Sequence, residues 1–102
     1  MVTNQSMRIL VIEDDRDVQN SIGWNAKING YEVEYAASPD EARERLQAAK
    51  ARNQSFAVAT VDMNYATGEK RTEMRQGKQI IQFIKSQFPE TACIMISGSN
   101  VK

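Results

Sequence analysis

Apolar and polar residues are distributed along this chain in a pattern that predicts alternating strands and helices. The segments Ile9–Ile12 and Ala57–Val61 show no polar alternation, which is typical of strands buried on both faces of a sheet. Ala92–Ile96 is also continuously apolar. Tyr31–Ala36 instead alternates apolar and acidic residues, which favours a half-exposed strand at a sheet edge.

The segments between these strands show the periodicity of helices. Residues 15–29 place Val18, Ile22 and Ala26 on one stripe, and Gly30 follows as a C-terminal cap. The second helix opens at Ser38–Glu41 with a capping serine, a first-turn proline and a glutamate suited to a capping box. Its buried stripe is predicted to be Ala42, Leu46 and Ala49.

A third helix is predicted after Gly77 and before Pro89. Its inward residues are Ile80, Ile81, Ile84 and Phe88. Strand and helix units thus alternate along the whole chain, which predicts an α/β fold. We expect a doubly wound parallel sheet with right-handed crossovers and helices on both faces.

Length and charge narrow the class of protein. The 102 residues are expected to form a single domain, 1–102, with a flexible polar N-terminus at 1–6. Thirteen basic and thirteen acidic residues leave no net charge, which argues against nucleic-acid and membrane partners. The sequence has no apolar run long enough for a signal peptide or membrane span, and Cys93 has no cysteine partner within the chain. We expect a soluble cytoplasmic protein.

Acidic residues follow two of the predicted buried strands. Glu13, Asp14 and Asp15 come after the first, and Asp62 comes after the third. Parallel strands bring their carboxyl ends to one edge of the sheet, where ligands bind. Converging carboxylates repel each other unless a cation neutralises them, and Mg²⁺ prefers oxygen ligands. The sequence therefore predicts a small Mg²⁺ site beside a potentially nucleophilic aspartate.

The chain resembles the receiver domain of two-component response regulators. The matching segments are Arg8–Asp15, Asp62 and Ile94–Gly98, and the resemblance extends from about Met7 to Ser99. It implies a receiver-like strand order, 2-1-3-4, and an Mg²⁺-dependent aspartyl phosphorylation that switches a protein-interaction surface. The implied partner is a sensor histidine kinase or a phosphotransfer protein. Such a module is not an enzyme beyond self-phosphorylation from small donors and autodephosphorylation.

The resemblance also implies a role for individual residues. Asp62 would be the phosphoacceptor and a metal ligand. Asp14 would bind Mg²⁺ directly, Glu13 would act through a bound water, and the backbone carbonyl of Asn64 would supply a further ligand. Ser97 would be the switch hydroxyl that bonds the phosphoryl oxygens.

Two features depart from the family pattern. Family members continue through a helix, a strand and a last helix, which contain a lysine that pairs with the phosphoryl group and an aromatic that follows the hydroxyl. This sequence ends at Lys102, too close to Ser97 to be that lysine. The second departure is a predicted extended loop at 63–76, longer than the two to six residues usual for such connections. A lid, a partner surface and a plain surface loop all remain open for this segment.

The early end has three interpretations. In the first, the chain is a truncated receiver. In the second, it is a naturally shortened receiver that dimerises through its exposed fourth strand or swaps elements. In the third, another protein or domain supplies the missing C-terminal portion. The homodimer is suggested because exposed apolar strand edges invite pairing with another chain.

Several residues also have ordinary structural interpretations. Asp15 is expected to cap the first helix rather than bind metal. Trp24 is expected to be a partly exposed packing residue, with a partner contact as the alternative, and Cys93 and Met95 are expected in the core.

Two other functions remain open from the sequence. The first is a pseudo-receiver, a phosphorylation-independent interaction or dimerisation module that keeps the fold. The second is an Mg²⁺-dependent enzyme acting on nucleic-acid strands. Such enzymes hold Mg²⁺ with a glutamate after one strand and an Asp-x-Asp motif after another, and Glu13 together with Asp62-Met63-Asn64 matches that pattern in part. The absence of a second aspartate at position 64 and of a basic surface argues against it.

Overall fold

The computed structural model describes residues 7–62 and 70–96, and the side chains of 7–62 and 77–96. Strands and helices alternate along this part of the chain, as predicted. The elements are β1 (Arg8–Ile12), α1 (Arg16–Ile28), β2 (Glu32–Ala36), α2 (Pro39–Ala51), β3 (Val58–Asp62), α3 (Lys70–Gln87) and β4 (Ala92–Ile96).

The strands form one parallel sheet in the order β2-β1-β3-β4. In the central pair, Ile12 of β1 lies opposite Val61 of β3. In the outer pair, Thr60 lies opposite Ile94. The predicted doubly wound sheet with strand order 2-1-3-4 is confirmed, and the carboxyl ends of all four strands meet at the same edge.

Helices cover the sheet on both faces. The main core lies between the sheet and the pair α2 and α3, whereas α1 packs against β1 and β2 and contributes no residue to that core. Burying these apolar side chains is the main force that stabilises the fold. The largest fully buried side chains are Phe56, Leu10, Leu46, Ile80, Ile84, Val11 and Val61.

The ends of α1 follow the predicted signals. Asp15 is the N-cap, and its Oδ1 accepts hydrogen bonds from the backbone N–H groups of Asp17 at 2.9 Å and Val18 at 3.3 Å. Gly30 follows the helix with φ of 90°, a left-handed conformation that glycine adopts without steric cost. The capping role of Asp15 is therefore shown by these contacts.

The start of α2 also follows its sequence signal, with one shift. Ser38 Oγ accepts a hydrogen bond from the Glu41 N–H at 3.2 Å, as in a capping box. The Glu41 carboxylate, however, accepts from the N–H of Ala37 at 2.7 Å rather than from that of Ser38. The stripe of buried residues on α2 is the predicted one, Ala42, Leu46 and Ala49.

Helix α3 is longer than the sequence analysis predicts. It begins at Lys70 and not after Gly77, so the prediction of an extended loop over 63–76 is wrong for residues 70–76. Lysine, arginine, glutamate, methionine and glutamine favour helix, and one internal glycine costs only about 1 kcal/mol. Residues 63–69 lie outside the described part of the chain. Among the described helices, none is long and apolar enough to cross a membrane.

Strand β4 is less buried than its composition suggests. Cys93 is half-buried and packs against the core, and burial raises the pKa of its thiol. Met95, predicted in the core, is 63% exposed. The reason is that β4 is the last strand of the described sheet, and the described elements leave its outer side uncovered.

Gly23 allows α1 to lie close to β2. A Cβ at this position would lie 2.9 Å from Tyr35 Cζ and 3.0 Å from Cε1, and would overlap the Tyr35 hydroxyl. We therefore expect Gly23→Ala to destabilise the protein by about 1–3 kcal/mol, although alanine is the better helix former. Urea unfolding measures this loss.

The matched control for Gly23→Ala is Ser21→Ala, on the exposed side of the same helix. It should change the free energy of unfolding by no more than about 0.5 kcal/mol. Adding Tyr35→Phe should recover part of the Gly23→Ala loss, because it removes the most crowded atom. Equal stability of the two alanine variants would show that the close approach is unimportant.

Candidate metal centre

Three carboxylates lie together at the carboxyl edge of the sheet. Glu13 and Asp14 follow β1 directly, and Asp62 is the last residue of β3. Because β1 and β3 are neighbouring parallel strands, their ends lie side by side. One carboxylate oxygen from each residue lies within 4.8 Å of the others. This spacing is short enough for one cation to contact all three side chains.

The three carboxylates differ in exposure. Glu13 is 4% exposed, Asp62 is half-buried and Asp14 is exposed. Glu13 continues the β1–β2 pairing, since its N–H donates to the Ala36 carbonyl at 2.9 Å. Asp14 is exposed, yet its carboxylate lies close enough to that of Glu13 for a hydrogen bond between the two.

Hydrogen bonds from α1 hold Glu13 in place. Its Oε2 accepts from the backbone N–H of Asp15 at 3.0 Å, and its carbonyl accepts from Gln19 Nε2 at 2.5 Å. The sequence analysis did not single out Gln19. The sequence could have indicated Gln19, because this residue lies one helical turn after the Asp15 cap, on the side of α1 that faces the sheet.

Burial raises the pKa of the Glu13 carboxyl to about 8. The Asp15 N–H bond opposes this shift, whereas the hydrogen bond and negative charge of Asp62 and a hydrogen bond with Asp14 add to it. Without a cation, Glu13 thus retains a proton near neutral pH. Because carboxylates bind metals in the deprotonated form, cation binding and proton release are coupled here.

A small cavity of about 140 Å³ adjoins the carboxylates. The N-terminus of α2 contributes Ser38 and Pro39, and α3 contributes Gly77 and Ile80. Sequence analysis assigned these residues only to helix starts and to the core. Ser38 and Pro39 follow β2, so the rule that ligands bind at the carboxyl edge of a parallel sheet was the signal that would have placed them here.

Three other polar residues considered for this edge of the sheet are Asp15, Asn64 and Ser97. Asp15 caps α1, and its side chain is not part of the carboxylate group. Asn64 and Ser97 lie outside the described part of the chain, so their predicted roles stay predictions.

The three carboxylates fit a hard divalent cation. They offer only oxygen ligands, and two of them are at least partly accessible to solvent. Mg²⁺ typically binds one or two carboxylates and keeps several waters. The raised pKa of Glu13 records the charge repulsion and burial that such a cation would relieve.

Solved structures with the same arrangement of elements are receiver domains. A response regulator receiver domain protein from Methanospirillum hungatei JF-1 is 24% identical to this chain, with a TM-score of 0.72. The match covers 95% of this chain and 68% of that protein. A response regulator receiver domain protein from Clostridium thermocellum is 28% identical to this chain, with a TM-score of 0.67. The match covers 92% of this chain and 67% of that protein. This chain has the receiver fold. No family model and no curated protein matches the sequence.

A third structure with the receiver fold contains ligands. It is a response regulator protein from Burkholderia pseudomallei with a phosphorylated aspartic acid, a calcium ion and citrate. It is 23% identical to this chain, with a TM-score of 0.69, and the match covers 93% of this chain. The match spans about half of that longer protein, 49% of its length.

Proposed function

We propose that this chain is the phosphoacceptor receiver module of a two-component phosphorelay, with Asp62 as the acceptor and Mg²⁺ as the cofactor. The observation that carries this proposal is the group of three carboxylates within 4.8 Å at the end of β3. The receiver fold supports it, as does the phosphorylated aspartic acid with a calcium ion in the structure from Burkholderia pseudomallei.

In this proposal each carboxylate has a different task. Asp14 and Asp62 bind Mg²⁺ directly, Glu13 acts through a bound water, and the backbone carbonyl of Asn64 adds a ligand. When bound, Mg²⁺ neutralises the carboxylates and the oxygens of the transferring phosphoryl group. Glu13 is suited to its task because its backbone is fixed by β2 and α1 while its side chain stays within reach of Asp62.

The proposed chemistry is a phosphoryl transfer to Asp62. One carboxylate oxygen forms a bond to phosphorus while the bond from phosphorus to the donor nitrogen or oxygen breaks. The bonding electron pair leaves with the donor, and the product is an acyl phosphate. A sensor histidine kinase or a phosphotransfer protein is the proposed donor in the cell, and small acyl phosphates are donors in solution.

The proposed output is a changed binding surface and not the turnover of a metabolite. Phosphorylation adds nearly two negative charges beside the β3 end, enough to bias a nearby two-state segment. We propose that Ser97 bonds the phosphoryl oxygens and moves with them. The chain is accordingly proposed to be a signalling domain rather than an enzyme.

The experiment is intact mass after incubation with a small acyl phosphate, with Mg²⁺ or with a chelator. We expect one phosphoryl adduct that depends on Mg²⁺. Asp14→Asn should slow its formation by at least about tenfold, because a metal ligand is lost. The matched variant Asp15→Asn should retain the wild-type rate, since asparagine caps a helix as well as aspartate.

Two outcomes would contradict the proposal. An adduct that forms equally with the chelator would remove the metal from the mechanism. No adduct in any condition would favour the pseudo-receiver, an interaction module that keeps the fold without phosphorylation.

A further inference from the structure

A polar residue occupies a position on α1 that the helix pattern assigns to apolar residues. Ile22, Gly23 and Ala26 are half-buried or buried, on the side of the helix that packs against the sheet. Gln19 lies three and four residues before Ile22 and Gly23, so it belongs to the same side, and it is half-buried as well. A half-buried amide needs a hydrogen-bond partner. The identity of that partner therefore indicates the role of Gln19.

The partner of Gln19 is the peptide group that joins two of the three clustered carboxylate residues. Nε2 of Gln19 donates to the carbonyl oxygen of Glu13 at 2.5 Å. This carbonyl belongs to the planar peptide unit between Glu13 and Asp14. Fixing its oxygen therefore fixes the direction in which the chain leaves β1, and with it the point from which the Asp14 side chain starts.

Two further hydrogen bonds hold Glu13 from other directions. Its N–H donates to the Ala36 carbonyl at 2.9 Å, and its Oε2 accepts from the Asp15 N–H at 3.0 Å. Both bonds use backbone groups of the partner residue, which most other residues at positions 36 and 15 would also provide. The bond from Gln19 comes from a side chain, so it depends on which residue stands at position 19.

The amide of Gln19 also suits a cation site electrostatically. It donates a hydrogen bond without carrying a charge, so it fixes the Glu13 carbonyl without competing with a cation for the carboxylates. Lysine or arginine at this position would bring a positive charge, which opposes the binding of a cation nearby. Without any donor, the Glu13–Asp14 peptide would be free to turn, and ordering it on binding would lower the affinity for the cation.

We propose that Gln19 is a positioning residue of the Mg²⁺ site, which orients the carboxylates of Glu13 and Asp14 through its hydrogen bond to the Glu13 carbonyl. Gln19 does not contact the ion in this assignment and acts through the backbone alone. The inference rests on the proposed function, because it takes the clustered carboxylates as the groups that hold Mg²⁺. It adds a residue of α1, outside the carboxylate group, that sets the affinity for the ion.

Isothermal titration calorimetry with Mg²⁺ tests this role on the full chain without any phosphoryl donor. Gln19→Met keeps a side chain of similar length but removes the donor. It should raise the Kd for Mg²⁺ about tenfold, the usual effect of losing a group that orients a metal ligand. Gln47→Met is the matched control, because it makes the same change at an exposed position of α2, and it should retain the wild-type Kd. Circular dichroism confirms that each variant is folded.

A second control separates positioning from the packing of α1. Ile22→Ala truncates a half-buried side chain on the same side of the helix. It should lower the urea concentration at the midpoint of unfolding but leave the Kd for Mg²⁺ unchanged.

The rate of adduct formation gives a further readout. For Gln19→Met, the Mg²⁺ concentration that gives half of the maximal rate should rise about tenfold, because the affinity for the ion is reduced. Saturating Mg²⁺ should restore the wild-type rate, because the acceptor Asp62 is unchanged. A rate that stays low at saturating Mg²⁺ would contradict the role assigned to Gln19.

Two calorimetric results would overturn that role alone. A folded Gln19→Met with the wild-type Kd would show that the bond to Glu13 does not affect the site. Equal weakening by Ile22→Ala would show that the affinity for Mg²⁺ follows the packing of α1. In both cases a wild-type chain that binds Mg²⁺ and accepts a phosphoryl group would leave the proposed function intact. A wild-type chain that binds no Mg²⁺ would contradict both proposals.

Discussion

Replacing Asp62 by asparagine is expected to abolish the phosphoryl adduct and to make the cation-free protein more stable at pH 8. The adduct is lost because the amide is not a nucleophile for phosphorus. Stability rises because the hydrogen bond and charge of Asp62 raise the pKa of buried Glu13, and asparagine removes that charge. An asparagine N–H can also donate to the Glu13 carboxylate. We expect a gain of about 1 kcal/mol.

Urea unfolding in the presence of a chelator measures this gain. Asp40→Asn is the matched control, because Asp40 is exposed and its ion pair among the described residues is with Arg43 at the surface, at 2.8 Å. That change should alter stability by no more than about 0.5 kcal/mol. If Asp62→Asn instead destabilised the protein as strongly as a core truncation, Asp62 would have a structural role and its place in the site would be in doubt.

The second large effect is a loss of stability as the pH rises in cation-free buffer. The Glu13 carboxyl has a pKa of about 8 in the folded chain and an ordinary value of 4.5. Between these values the folded state binds more protons than the unfolded state, so raising the pH favours unfolding. The slope contributed by this one group is at most about 1.4 kcal/mol per pH unit.

Glu13→Gln isolates the pH effect, because glutamine resembles the protonated glutamic acid and does not titrate. Urea unfolding of both proteins between pH 5 and pH 8 should show a decline in wild type and a flatter profile in the variant. Addition of Mg²⁺ at the upper end should restore stability to wild type, because ligands that bind the folded state stabilise it. Parallel profiles for the two proteins would refute the role assigned to Glu13.

The strand pattern was predictable because periodicity and burial act locally. The continuous apolar run Ala92–Ile96 coincides with β4, and the Ser38 cap marks the start of α2. The start of α3 was not predictable in the same way. Residues 70–76 have helix propensity but no apolar stripe, and Gly77 has the appearance of a boundary although the helix passes through it.

The site was predictable in its acidic residues but not in its burial. The position of Glu13 and Asp62 after buried strands indicated that they would meet, since parallel strands end at one edge. Which carboxylate is buried depends on the pairing of Glu13 with Ala36, a tertiary contact. The exposure of Met95 likewise depends on which strand is at the edge of the sheet, which composition alone does not determine.

The location of the phosphoryl group tests the central claim most directly. After incubation with a small acyl phosphate and Mg²⁺, borohydride converts the acyl phosphate to an alcohol that survives digestion. Trypsin releases residues 53–70 as one peptide, in which Asp62 is the only aspartate, and residues 9–16 as another, with Glu13, Asp14 and Asp15. We predict that the reduced residue is Asp62, in the peptide 53–70. A reduced residue in the peptide 9–16, or none in either peptide, would contradict the account.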